Sequence, residues 1–182
     1  MRLFVAVELP EEVKRQLMGL QKNIAGVRWL PTKQLHLTVL FLGEVDDEKL
    51  TQIINALAEI KLAPFTLQIA KTGCFPNARA PRVLWIDLER EPMLERLYLL
   101  VRTAAETCGI LLEKRSFSPH ITLARLKQSN SADISSFIHQ TVSDNILPIT
   151  VQQFALFQSV LTQQGATHRQ IQAFPCGMSR SF

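Results

Sequence analysis

The hydrophobic pattern of the chain switches repeatedly between the two-residue period of a strand and the 3.6-residue period of a helix. Leu3 to Leu9 is almost continuously apolar and rich in β-formers, which predicts a strand buried on both faces. Pro10, Glu11 and Glu12 then suit a first helical turn. Val13, Leu17, Leu20 and Ile24 supply its apolar stripe and Gly26 its stop. Val27–Trp29 reads as a short strand, Pro31–Lys33 as a turn, and Leu35–Leu42 as a second long strand closed by Gly43. Asp46 or Asp47 is placed to cap a helix whose stripe is Leu50, Ile53, Ile54 and Leu57.

Pro64 opens a strand predicted over Phe65–Ala70, and Gly73–Pro81 has the composition of a loop. Arg82–Leu88 is a strand, and Pro92 starts a helix carrying Leu94, Leu97, Val101 and Ala105 and ending at Gly109. Pro119 leads into another strand, where proline is tolerated at the first residues. Ser131 or Asp133 is expected to cap a short helix through Val142. Ile149–Val160 and Ala166–Phe174 read as a closing hairpin around Thr162–Gly165.

This series repeats. His36 and His120, Thr38 and Thr122, Leu42 and Leu126, Pro64 and Pro148, Thr66 and Thr150, and Gln68 and Gln152 all lie 84 residues apart. Chance rarely supplies six matches at one offset, so the order strand, Pro-led helix, strand, capped helix, strand reads as a duplication, roughly 1–72 and 82–174. The fold class expected is α+β: one bilobal domain of duplicated β-α-β units, with two antiparallel sheets facing a central cleft and helices outside.

The centre of each repeat is a His-apolar-Thr-apolar run, His36-Leu37-Thr38-Val39 and His120-Ile121-Thr122-Leu123. In a strand, His36 and Thr38 share one face, as do His120 and Thr122. A pseudo-twofold axis would bring these faces together. One neutral imidazole can then take a proton while a protonated one donates to a leaving oxygen, with the threonine hydroxyls holding phosphate oxygens. Arg125 is the nearest cation for the developing charge, yet strict alternation puts it on the wrong face unless the strand ends or bulges near Ala124.

Composition narrows the alternatives. Of 182 residues, 47% are hydrophobic and 20% charged, enough for a packed interior and too apolar for disorder. No apolar run reaches membrane-span length, and Glu8 and Pro10 break the start too early for a signal peptide. Cys74, Cys108 and Cys176 are odd in number and form no CxxC pair, which fits reduced thiols in the cytoplasm. A net charge of +4 permits an anionic partner without establishing one. Walker A, GxGxxG and GxSxG patterns are absent, and the motif strands carry no carboxylate beside their histidines to build a metal site. His139 and His168 read as surface residues, in a helical stretch and near a turn, and Cys74 and Cys108 as packing residues.

With both motifs intact, the chain resembles the 2H phosphoesterases. The flanks Leu35–Gly43 and Phe117–Arg125 are similar to the bacterial and archaeal branch, the RNA 2′,3′-cyclic phosphodiesterases, also called 2′-5′ RNA ligases or LigT/ThpR proteins. The resemblance covers Leu3 to about Phe174. It implies hydrolysis of a terminal 2′,3′-cyclic phosphate to a 2′-phosphate without metal or cofactor. It also implies His36 as proton donor, His120 as proton acceptor, and Thr38, Thr122 and Arg125 as phosphate contacts. Expected partners are RNA with 2′,3′-cyclic phosphate ends, whether tRNA fragments or small cyclic nucleotides, and no membrane, for a monomeric cytoplasmic protein. Read from the residues alone, the two histidine roles stay interchangeable. Ligation by the same site, and RNA-end binding without catalysis, stand as alternatives.

Overall fold

The computed structural model describes residues 1–114, 116–127, 132–138, 142, 146–162 and 165–177. The protein has an α+β fold of ten strands and four helices among these residues, with two antiparallel sheets of unequal size. In chain order the elements are β1 (Arg2–Glu8), α1 (Glu11–Gly19), β2 (Val27–Trp29), β3 (His36–Glu44), α2 (Asp47–Ala58), β4 (Phe65–Leu67) and β5 (Ile69–Phe75). There follow β6 (Val83–Leu88), α3 (Pro92–Thr107), β7 (His120–Leu126), α4 (Ala132–Phe137), β8 (Ile149–Val151), β9 (Gln153–Thr162) and β10 (Gly165–Pro175).

The larger sheet runs β10-β9-β1-β3-β7-β6-β5, with β2 also paired to β7. Its two halves meet where Leu37 of β3 faces Ile121 of β7. The smaller sheet pairs β4 with β8, with Thr66 opposite Thr150. Both junctions join residues 84 apart in sequence, the offset of the motif repeat.

Burial follows the hydrophobic pattern. Five consecutive residues of β1, Leu3–Val7, are buried, and β1 sits inside the sheet between β3 and β9. Val13 and Leu17 of α1, Ile53 and Leu57 of α2, and Leu94, Leu97, Val101 and Ala105 of α3 are buried at helical spacing. Asp46 caps α2, its carboxylate accepting from the Lys49 N–H at 2.8 Å.

Several boundaries differ from those expected. Helix α1 ends at Gly19, short of Gly26: Leu20 and Gln21 N–H bond to the carbonyls three residues back, Leu17 and Met18, tightening the last turn. Ile24 still reaches the core from the following loop. The strand expected over Phe65–Ala70 splits at Gln68, because β4 leaves the main sheet to pair with β8. The chain divides at Gln152 in the same way.

Gly73–Phe75, expected in a loop, belongs to β5. Gly73 pairs with Trp85, and a Cβ there would lie 2.2 Å from the indole, so this glycine marks a ring lying against the backbone rather than a turn. Helix α4 ends at Phe137 and Val142 is not helical, while Ser131 and the turn residues Gln163 and Gln164 lie outside the described residues. Among the described residues no helix is long and apolar enough to cross a membrane.

Candidate active site

The two motifs fold in the same way. His36 Nδ1 lies 2.8 Å from the carbonyl oxygen of Gln34, and His120 Nδ1 lies 2.8 Å from that of Ser118. A carbonyl only accepts, so Nδ1 carries the hydrogen in each ring and Nε2 is left for chemistry. Antiparallel pairing at Leu37 and Ile121 directs His36 toward Thr122 and Thr38 toward His120. Each histidine is thus set toward the hydroxyl of the other motif.

Both motif strands bulge at equivalent places. On β3, Thr38 faces Ala6 and Leu40 faces Val5, leaving Val39 as the extra residue. On β7, Thr122 faces Trp85 and Ala124 faces Leu84, leaving Leu123 as the extra residue. A bulge reverses the alternation beyond it. Leu123 and Ala124 are accordingly buried in succession, and Arg125 emerges on the face of His120 and Thr122. The face problem posed by strict alternation is removed by one inserted residue. The Arg125 guanidinium comes near enough to His168 to help lower the pKa of that ring.

The first bulge exposes Phe41, a residue that the sequence reading passed over. It occupies the place on β3 that Arg125 holds on β7, is 62% exposed, and lies 5.8 Å between centroids from Phe4. Its signal was available in the spacing, since Phe41 and Arg125 are 84 residues apart.

His36 and His120 lie in different surroundings. Phe4 is 5.1 Å and His168 4.8 Å from the His36 ring. His120 instead meets Phe75 edge-on at 4.9 Å and Trp85 at 6.3 Å. Burial, then the nearby His168, His120 and Lys14 charges, lower the His36 pKa to about 4 despite the bond to Gln34 that favours its charged form. Lys14 of α1 is itself buried between Glu8 at 3.4 Å and Glu11 at 2.8 Å.

His168, read from sequence as a surface residue near a turn, is a half-buried member of β10 in this cluster, because the closing hairpin joins the sheet alongside β1 through β9. His139 lies outside the described residues. Cys74, Cys108 and Cys176 are free thiols, with burial pushing the Cys74 and Cys176 pKa values up, and Cys74 and Cys108 pack against the core as expected. Among the described residues no group of three His, Cys, Asp or Glu side chains is placed to hold a metal ion. The arrangement can accept a proton on one side of an anion and deliver one on the other, with Arg125 as counter-charge.

Comparison with known proteins places the chain in a family. The family described as LigT-like phosphoesterase matches the chain twice, over residues 7–85 and 86–168. An RNA 2′,3′-cyclic phosphodiesterase of Archaeoglobus fulgidus is 33% identical over 177 residues, covering 96% of this chain and 99% of its own. One from Thermus thermophilus is 41% identical over 138 residues, 70% of this chain and 69% of its own. Among solved structures, E. coli LigT complexed with 3′-AMP superposes with a TM-score of 0.83 at 25% identity, covering 97% of this chain and 98% of that one.

Proposed function

Because the chain belongs to the LigT-like phosphoesterase family, and is a hydrolase by its kinship, we propose that it opens the 2′,3′-cyclic phosphate at an RNA end to leave a 2′-phosphate. The observation that carries this reading is the pair of inward-facing imidazoles, each with Nδ1 engaged by the carbonyl two residues upstream. Neutral His120 removes a proton from water as the water oxygen bonds to phosphorus. The bond from phosphorus to O3′ breaks, and protonated His36 delivers its proton to that oxygen. Thr38, Thr122 and Arg125 hold the non-bridging oxygens, and Arg125 offsets the charge that builds in the transition state.

In the free site His36 is neutral at pH 7, since its pKa sits near 4. The arriving phosphodiester supplies the negative charge that favours its protonated form. Phe41 offers a flat apolar face beside the cleft on which a nucleobase can stack. The reading assigns no metal to the chemistry and places the protein in the cytoplasm as a monomer, where reduced Cys74, Cys108 and Cys176 are at home.

The neutrality of His36 favours a second reading in which the histidines exchange roles. A cyclic phosphate carrying a bridging 3′-sulfur separates them, because a thiolate leaves without needing a proton. If His36 is the donor, His36→Ala recovers most of its turnover on the sulfur substrate and His120→Ala does not; exchanged roles give the opposite result. The activity itself is tested by incubating a nucleoside 2′,3′-cyclic phosphate with the protein in excess EDTA. The expected product is the 2′-phosphate. No turnover would leave a binding module, formation of a 2′-5′ linkage would mark a ligase, and activity restored only by a divalent ion would end the metal-free scheme.

A further inference from the structure

The cleft contains a third histidine that the two-motif scheme leaves without a task. His168 stands on β10 opposite Ser159 of β9, and its ring meets that of His36 edge-on, with centroids 4.8 Å apart and planes at 85°. Phe4 closes the triangle at 5.1 Å from His36 and 5.0 Å from His168, and is itself stacked on Phe157 of β9 at 5.4 Å. The Phe4 and His168 rings leave His36 little freedom to turn.

Strand β10 also grips His36 from behind. Gln34 accepts the Nδ1 hydrogen of His36 through its carbonyl and donates its side-chain amide to the Ala166 carbonyl at 2.8 Å, two residues before His168. A shift of β10 would therefore move both the ring against His36 and the backbone acceptor that sets its tautomer.

Packing alone does not account for this residue. His168 Nδ1 is buried without a hydrogen-bond partner, an arrangement that a phenylalanine of similar shape would avoid. The ring also breaks the likeness of the two halves, for the rings around His120 are Phe75 and Trp85. Strand β10 lies at one edge of the sheet, beyond β9, while β5 closes the other edge directly beside β6.

We propose that His168 is a positioning residue for the phosphodiester reaction, one that orients the His36 ring and makes two otherwise equivalent motif histidines unequal. The proposal rests on reading the cleft as the phosphodiesterase site. Two histidines with identical surroundings share one midpoint and put the proton on either ring equally often, whereas acid–base chemistry needs it on a particular one. Charged or titratable groups reach this pair from several elements: Glu8 of β1, directly across from His36; Lys14 of α1; His120 and Arg125 of β7. Burial and Arg125 lower the pKa of His168. A neutral His168 lets His36 take up a proton when the phosphate arrives, and a protonated one opposes it.

The test compares His168→Ala, His168→Gln and His168→Phe with the parent protein by two readouts. One is the titration of the His36 ring followed by NMR in the free protein, and the other is kcat and KM for a nucleoside 2′,3′-cyclic phosphate across pH. We expect the His36 midpoint to rise in all three variants. His168→Ala should lose roughly tenfold in kcat, the lower end of the usual cost of removing a supporting partner, with KM nearly unchanged. His168→Phe restores the ring edge but not the titrating group, so it should recover only part of kcat while its His36 midpoint stays shifted. The proposal is overturned if the midpoint does not move in the variants that fold, or if the loss appears in KM instead of kcat. Absence of turnover in the parent protein would end the phosphodiesterase reading by itself, and the NMR titration would still decide whether His168 governs His36.

Discussion

Leu37 and Ile121 face each other across β3 and β7, both fully buried, and this contact joins the two halves of the main sheet. Each lies between the histidine and threonine of its own motif. The residues that point away from the chemistry therefore set the register of those that perform it.

Leu37→Ala should cost about 2–5 kcal/mol of stability, because a fully buried leucine leaves a cavity that a sheet junction closes poorly. Chemical denaturation measures it. A loss below 1 kcal/mol would mean that the junction relaxes freely.

His36→Ala and His120→Ala should each lower turnover by roughly 10²–10⁴-fold, and the double variant should be only slightly worse than either. Product binding measured by calorimetry should survive, since Thr38, Thr122 and Arg125 remain. Variants that lose affinity but keep their rate at saturation would turn the cleft into a recognition site.

Arg125→Ala should weaken both product binding and turnover, and Arg125→Lys should recover only part, because an ammonium cannot reproduce the two-pronged contact of a guanidinium. The bulge that aims this side chain gives a second check. Deleting Leu123 would restore simple alternation while leaving Ala124 opposite Leu84 and Arg125 opposite Val83, so Arg125 should stay on the face of His120 and the fraction that folds should keep more activity than Arg125→Ala.

Stability should fall with acid in a definite window. The His36 pKa drops from the usual 6.5 to about 4 on folding, so between these values the unfolded chain binds the extra proton. The contribution is present in full above pH 6.5 and is lost as pH falls toward 4, by on the order of 3 kcal/mol in total. Replacing His36 with Gln removes the titrating group. The difference in unfolding free energy between parent and variant should therefore shrink as pH falls from 7 to 4, and a difference constant with pH would refute the assignment.

Gly73→Ala should destabilise by about 1–3 kcal/mol, because the new methyl group overlaps the Trp85 indole and forces it off its seat. Trp85 and Phe75 both border His120, so the displacement should also reduce kcat. Tryptophan fluorescence and thermal unfolding read the two effects.

Much of this protein is written locally. The motif residues His36, Thr38, His120 and Thr122 stand out because strand alternation places a ring and a hydroxyl together. The caps, Pro-led helices and buried β1 follow from propensities acting within a few residues. The offset linking the motifs reappears in the pairs Leu37–Ile121 and Thr66–Thr150. Tertiary structure alone decided what depends on distant chain. The splits at Gln68 and Gln152 arise because β4 and β8 find each other across the fold. The role of Gly73 depends on where an indole from β6 comes to rest. Arg125 reaches the cleft through a bulge that period-two reasoning can allow but cannot locate. His168 looked peripheral because nothing near it in the chain announces a site. It enters the cluster only when β10 folds back through β9 onto β1, more than 120 residues upstream of it, and no local pattern encodes that return.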